Sequence, residues 1–392
     1  DGSQQTVPKL LQAAGYQTAI VGKWHLKSTP TGFDHFEVLK GQGQYYNPML
    51  FTNGENVNHV GYTTDIITDQ TLRWLKEDRD PEKPFLLMCQ HKAPHGRWEP
   101  ALRHLELYDD VEFPEPETLF DDYANRSKAP TLHKMGLGEH MGDHRLMLKY
   151  SSKHTPEQLA EFDAYFRPRN EAYVKANLEG DERTKWHYQR YIKNYLRCVK
   201  AVDENVGRIL NYLDESGLGE DTVVIYSSDQ GFYLGEHGWF DKRWMYEESL
   251  RTPLLVKWTG VIKEGSRDAT HIVSNLDVAQ TWLEMAGAPD PGDMQGRSMV
   301  PLFKGEMPKD WRQTHYYHYY EAGGHGVPVH YGVTDGRNKL IHFIGKDLDE
   351  WEFYDRKNDP NEVRSEYNNP EYSQKIEELE EEIERLQSEL GL

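Results

Sequence analysis

Between Lys185 and Glu215, apolar and aromatic residues recur at steps of three and four, from Tyr188, Tyr191 and Ile192 through Val199 and Val202 to Ile209 and Leu213. Such a stripe occupies one face of an α-helix, and this is the helix the chain predicts most strongly. Shorter helices are predicted where Val7, Leu10, Leu11 and Ala14 share a face before Gly15, and over Thr63 to Lys76, where Ile66, Ile67, Leu72 and Leu75 are apolar. Thr18 to Val21, Phe85 to Gln90, residues 222–228 and Pro253 to Trp258 read as strands. The unbroken apolar runs within them, Val223 to Tyr226 above all, are those of buried strands. Strands alternating with helices predict an α/β fold with a mostly parallel sheet flanked by helices.

Residues 100–184 are rich in Pro, Asp and His and keep no clean period, which predicts a long excursion with short helices shaping substrate access. From about Leu302 the pattern changes. Tyr316 to Tyr320, Tyr331 to Val333, Lys339 to Phe343 and Trp351 to Tyr354 predict a small antiparallel sheet. Ser373 to Leu390 predicts a terminal helix with Ile376, Leu379, Ile383, Leu386 and Leu390 on one stripe. Two regions are therefore expected: residues 1–305 as a catalytic α/β domain and residues 306–392 as a C-terminal α+β subdomain.

The formal charge of −20 argues against nucleic acid as a partner, although a local pocket can still be cationic. No apolar run approaches the roughly 20 residues needed to span a bilayer, so no membrane span is expected. Cys89 and Cys198 show no Cys-x-x-Cys spacing and read as structural thiols. The chain opens on Asp1 and enters a helix–strand unit within a few residues, which predicts that its beginning is missing.

Ionisable residues gather at three predicted strand ends: Lys23 with His25, His91 with His95, and Asp229-Gln230 followed by His237, Lys242 and Arg243. Open α/β sheets bind ligands at the carboxyl ends of their strands. Singly each cluster is weak, since a loop Lys or His is usually solvated and an Asp after a strand is usually a cap. Asp229 and Gln230 offer hard oxygen donors that suit Ca²⁺ or Mg²⁺ rather than zinc, and cations beside them point to an anionic substrate.

In Gly22-Lys23-Trp24-His25-Leu26, His91-Lys92-Ala93-Pro94-His95, Ser228-Asp229-Gln230-Gly231, Gly235-Glu236-His237-Gly238 and Asp241-Lys242-Arg243, the chain resembles the type I sulfatases of the alkaline phosphatase-like superfamily. Asp293 to Ser298 and Tyr354-Asp355 through Asp359 to Glu362 also look like that family's later segments, so the resemblance runs nearly throughout. It implies that Lys23 and Lys242 bind the sulfate oxygens and that His25 orients the nucleophile and takes its proton on release of sulfate. It further implies that His95 protonates the departing sugar oxygen and that Asp229 and Gln230 bind Ca²⁺. His91, His237 and Arg243 are the expected substrate contacts.

The family's nucleophile is a formylglycine made from a Cys/Ser-x-Pro/Ala-x-Arg motif, with a pair of Asp metal ligands before it. Neither occurs in these 392 residues. Both lie N-terminal to Gly22-Lys23-Trp24-His25 in the family, so the expectation is a truncated sulfatase with half its Ca²⁺ site, inactive alone. The implied function is hydrolysis of sulfate esters on sulfated carbohydrates, of glucosamine-6-sulfatase or iduronate-2-sulfatase type. A formylglycine-generating maturation enzyme is the implied partner, and a secreted or periplasmic location is implied by the family. The alternatives are a phosphoester or phosphonate hydrolase of the same superfamily and a non-catalytic binder of sulfated glycans.

Overall fold

The computed structural model describes residues 2–392. Helix α1 (Val7–Ala13) leads into β1 (Gln17–Lys23), in which Thr18 to Val21 are fully buried. β1 pairs in parallel with β2 (His35–Leu39) on one edge and, later in the chain, with Phe85–Gln90 on the other. A strand paired on both edges and covered on both faces accounts for its unbroken apolar run. Beyond β2 the sheet continues antiparallel through β3 (Met49–Thr52) and β4 (Glu55–Asn58). Their hairpin turns on Asn53 and Gly54 at φ 46° and 104°, the left-handed pair that a tight two-residue turn favours. With β5 (Phe85–Gln90) the order is β4-β3-β2-β1-β5, parallel at the centre and antiparallel along one edge.

α2 (Thr63–Arg73) buries Ile66, Ile67 and Leu72 under this sheet, and Trp74 and Leu75 continue its apolar face. Within the polar excursion the chain forms the one-turn α3 (Leu137–His140) and then α4 (Pro156–Ala176), a 21-residue helix where the sequence predicts only short ones. Thr155 and Gln158 close the N-terminus of α4 with reciprocal side chain-to-backbone bonds. Its buried residues are only Phe162, Tyr165 and Phe166, and Pro168 interrupts the pattern, so no long stripe marks it in the sequence. α5 (Gly180–Glu215) is the predicted long helix, begun upstream of its apolar stripe, and it packs on α2.

β6 (Val224–Ser227) follows, then the two-residue strands β7 (Tyr233–Leu234) and β8 (Phe240–Asp241), the one-turn α6 (Glu247–Leu250), and β9 (Leu254–Lys257). β6 pairs antiparallel with β9 in a ladder of its own, which corrects the expectation of buried strands over 222–228 and 253–258. Neither strand has a second neighbour among the described residues, so Tyr226 and Leu255 stay 40% and 65% exposed. An apolar run shows that a strand can be covered; it does not identify what covers it.

After α7 (Asp277–Ala286) and the one-turn α8 (Val300–Phe303), the chain builds a four-stranded antiparallel meander, β10 (His315–Tyr319), β11 (Val329–Thr334), β12 (Asn338–Gly345) and β13 (Leu348–Asp355). Alternation along β12 splits its faces. Leu340, with Val333 and Phe353, packs beneath Ile376, Leu379 and Ile383 of α9 (Ser373–Leu390). Ile341 and Phe343, with Tyr354, pack against Trp239, Trp244 and Tyr246, so residues 306–392 share a core with the segment that follows β6.

Candidate active site

The site begins where β1 ends. Gly22 runs at φ 118°, and a Cβ there would lie 1.9 Å from the Gln90 carbonyl oxygen, so only glycine lets β1 and β5 approach this closely. The next residue, Lys23, is half-buried. Burial lowers its pKa, and of its charged neighbours Asp229 opposes that shift while Lys242 adds to it. Residues from the ends of β1 and β6 and from the turn after β8 thus act on one ammonium group.

The loop after β5 brings the third strand end to the same place. Lys92 is buried, donates to the Gly96 carbonyl at 3.2 Å and sits 4.9 Å from the centre of the Tyr45 ring. The Trp98 indole donates to the Pro94 carbonyl at 2.8 Å, and the Tyr45 hydroxyl donates to the His95 carbonyl at 2.8 Å, which fixes the loop at both shoulders. His95 Nδ1–H donates to the Gly96 carbonyl at 2.9 Å, leaving Nε2 free for a second proton. Burial first, then Lys242, Lys23 and Lys92, bring the His95 pKa down to about 4, against the opposing hydrogen bond to Gly96. The imidazole is therefore neutral near pH 7 until an anion offsets the lysines.

His95 and Lys242 line one cavity of about 390 Å³, within the usual size of small-molecule sites, with Trp98, Phe232, Phe240 and Asp241 among its walls. Lys242 Nζ lies 3.5 Å from Asp241 and 5.6 Å from the centre of the Phe232 ring. Asp241 also takes Arg243 at 2.8 Å. Burial pushes the Asp241 pKa up, but Lys242 and Arg243 outweigh it and hold the carboxyl below its ordinary range. Arg243 is thus committed to Asp241, beside the cavity.

Of the expected site residues, His95 and Lys242 line the cavity, while Lys23 and Asp229 lie outside its lining and act on it through charge. His25 is exposed two residues beyond β1 and bonds no other described residue. Two expected substrate contacts lie elsewhere. His91 turns toward α2, with Nε2 2.9 Å from the Thr68 hydroxyl, and burial takes its pKa to about 4. His237 is fully buried, with Nδ1 2.9 Å from Asp121 and its ring packed on Trp239 and Tyr246.

Burial alone would lower the His237 pKa, but its hydrogen bond to Asp121 and the Glu248 carboxylate 3.8 Å from its Nε2 raise it. A raised pKa means that the pairing contributes fully below the ordinary imidazole value of about 6.5 and is lost as pH climbs through the folded-state value. His237→Ala is expected to lower the unfolding free energy by about 2–4 kcal/mol in denaturant titration at pH 6, with a smaller loss at high pH. A variant as stable as the parent would contradict this structural role.

Sequence reasoning missed the remaining polar lining. Arg97 lies two residues after His95, and its nearness to that motif was the available signal. His144 and Arg145 come from the aperiodic excursion, where nothing marks them. Cys89 and Cys198 lie outside the cavity lining, and burial pushes their thiols up to about 11 and about 12, so both stay protonated.

For the implied Ca²⁺, Asp229 is exposed and meets only the Ser228 hydroxyl at 3.5 Å, while the Gln230 side-chain amide bonds no other described residue. Two unengaged hard oxygen donors fit Ca²⁺ by type. They do not close a shell of about six to eight oxygens, and no cluster of three or more His, Cys, Asp or Glu able to hold a metal occurs among the described residues.

The sequence model of the sulfatase family matches residues 1–288, and that of the N-sulphoglucosamine sulphohydrolase C-terminal region matches residues 235–389. The N-acetylglucosamine-6-O-sulfatase of Bacteroides thetaiotaomicron is 46% identical over 410 residues, covering 99% of this chain and 73% of that protein. The human N-acetylglucosamine-6-sulfatase is 26% identical over 325 residues, covering 78% of this chain and 50% of that protein. A solved structure of a protein in complex with its substrate D-glucosamine-2-N,6-O-disulfate superposes with a TM-score of 0.96 at 44% identity, covering 99% of this chain and 82% of that one. The phosphonate monoester hydrolase of Silicibacter pomeroyi, at TM-score 0.70 and 20% identity, shares the fold.

Proposed function

The chain belongs to the sulfatase family of sulfuric ester hydrolases, and from that premise we propose that its cavity takes the 6-O-sulfate of a glucosamine residue in a sulfated glycan. The observation that carries this reading is that His95 and Lys242 line one cavity and that Lys23, from an element far away in sequence, is close enough to act on the charge of both. The 46% identity to a protein named as an N-acetylglucosamine-6-O-sulfatase supports glucosamine O6 over iduronate O2.

In this reading the two ammonium groups hold the sulfate oxygens as compact charges in a partly desolvated pocket. The bound anion raises the His95 pKa, and the protonated imidazole then donates to O6 as the ester bond breaks. His25, exposed and unbonded beyond β1, serves the attacking side. Asp229 and Gln230 would offer two oxygens to a Ca²⁺ ion, which would supply charge neutralisation at the sulfate when bound. A formylglycine would supply the attacking oxygen, although these 392 residues hold no motif for it, and the enzyme that generates it is the proposed maturation partner. A glycan substrate fits a secreted or periplasmic setting, and no helix among the described residues is long and apolar enough to cross a membrane.

The test is a calorimetric binding panel with Ca²⁺ present. N-acetylglucosamine-6-O-sulfate should bind about tenfold more tightly than N-acetylgalactosamine-4-O-sulfate or a 2-O-sulfated uronate. Equal affinity across the panel, or preference for the uronate, would sink the assignment.

A further inference from the structure

The cavity lining carries three cations, Arg97, Arg145 and Lys242, against the carboxylates of Asp143 and Asp241. A sulfate monoester carries a single negative charge, which Lys23 and Lys242 already meet in the reading above. Two guanidinium groups also face the space. Arg145 is half-buried, lies 4.7 Å from the centre of the Phe240 ring, and has neither a side-chain hydrogen bond nor an ion pair with any other described residue. Arg97 is exposed on the loop that carries His95 and is likewise unpaired.

The nearby acids are already engaged. Asp241 is held by Arg243 at 2.8 Å and Lys242 at 3.5 Å, and Asp143 pairs with Lys149 at 2.6 Å. The cationic neighbourhood is concentrated: burial lowers the Arg145 pKa, Asp241 resists this, and Arg243 and Arg97 push it lower still. A guanidinium drawn partly out of water beside two others, with no carboxylate of its own, is unfavourable in the free protein. It becomes favourable when a ligand supplies the anion, and its planar fork suits two parallel bonds to a sulfate or carboxylate.

We propose that Arg97 and Arg145 form a second anion subsite in this cavity, which takes a sulfate or carboxylate carried by the substrate in addition to the 6-O-sulfate. The inference rests on the reading of the cavity as the 6-O-sulfate site. It makes the preferred substrate a glucosamine-6-O-sulfate bearing a further negative group, either on its own nitrogen or on a neighbouring uronate.

Calorimetric titration of the 392-residue chain with Ca²⁺ tests this with three ligands: N-acetylglucosamine-6-O-sulfate, glucosamine-2-N,6-O-disulfate, and a uronate-linked N-acetylglucosamine-6-O-sulfate disaccharide. At least one two-anion ligand should bind about tenfold more tightly than the one-anion ligand, and the one that does identifies the source of the second anion. Arg145→Gln should bring that ratio close to one. Arg97→Ala, at an exposed position where folding is not at stake, should reduce it severalfold. No two-anion advantage, or an advantage that survives both substitutions, overturns the subsite alone. Failure of all three ligands to bind overturns the 6-O-sulfate reading and the subsite with it.

Discussion

Lys242→Ala is expected to weaken binding of N-acetylglucosamine-6-O-sulfate by about 100-fold, because it removes a charge-assisted bond worth about 1.5–3 kcal/mol from a partly desolvated pocket. The substitution also changes the balance around Asp241. With Lys242 gone, Arg243 at 2.8 Å and His325 at 3.9 Å remain beside that carboxylate, and the pocket presents less positive charge to the incoming sulfate. Lys242→Arg should recover only part of the loss, since a flat fork cannot occupy the position of a compact ammonium against Phe232. Calorimetric titration of both variants checks this, and a loss below about threefold in the alanine variant would remove Lys242 from the sulfate site.

The second large effect is on stability. Glu362, only 1% exposed, lies 2.6 Å from Lys339 Nζ, itself 0% exposed, while its other oxygen accepts the Glu247 backbone N–H at 2.7 Å. The pair joins β12 to the segment after β13 and both to the start of α6, which follows Arg243 by a few residues. Glu362→Ala leaves the buried ammonium with only the more distant Glu247 carboxylate, at 3.8 Å, which costs about 3–5 kcal/mol. Adding Lys339→Met should restore much of that, because the unpaired charge rather than the lost pair carries the cost. Denaturant unfolding of the single and double variants measures both, and a single-variant loss below about 1 kcal/mol would contradict this reading of the pair.

Glu362 had drawn notice only as part of a family-like segment, and its case shows what the sequence could and could not reveal. Strand ends were legible because β1 and β5 are uninterrupted apolar runs whose first polar residues must fall at the carboxyl edge, and Lys23 and His95 followed from that. The direction of a side chain past a strand end was not. His91 and His95 sit in one short motif, yet one contacts Thr68 of α2 and the other lines the cavity. His237 looked like a polar residue in a glycine-rich turn, but the aromatic residues after it, Trp239, Trp244 and Tyr246, build the core that encloses it. Arg145 and helix α4 lie in a stretch whose burial is too sparse to leave a period. The Asn53-Gly54 hairpin was not among the elements expected from the sequence, although its dipeptide is a strong short-range hairpin signal.

The central claim is that Lys23, Lys242 and His95 surround one sulfate. A structure of the chain with N-acetylglucosamine-6-O-sulfate and Ca²⁺ tests it most directly. The account predicts sulfate oxygens within hydrogen-bonding distance of the ammonium groups of Lys23 and Lys242, with sugar O6 facing Nε2 of His95. A sugar sulfate bound elsewhere, or seated in this cavity with its sulfate turned away from both lysines, would contradict it.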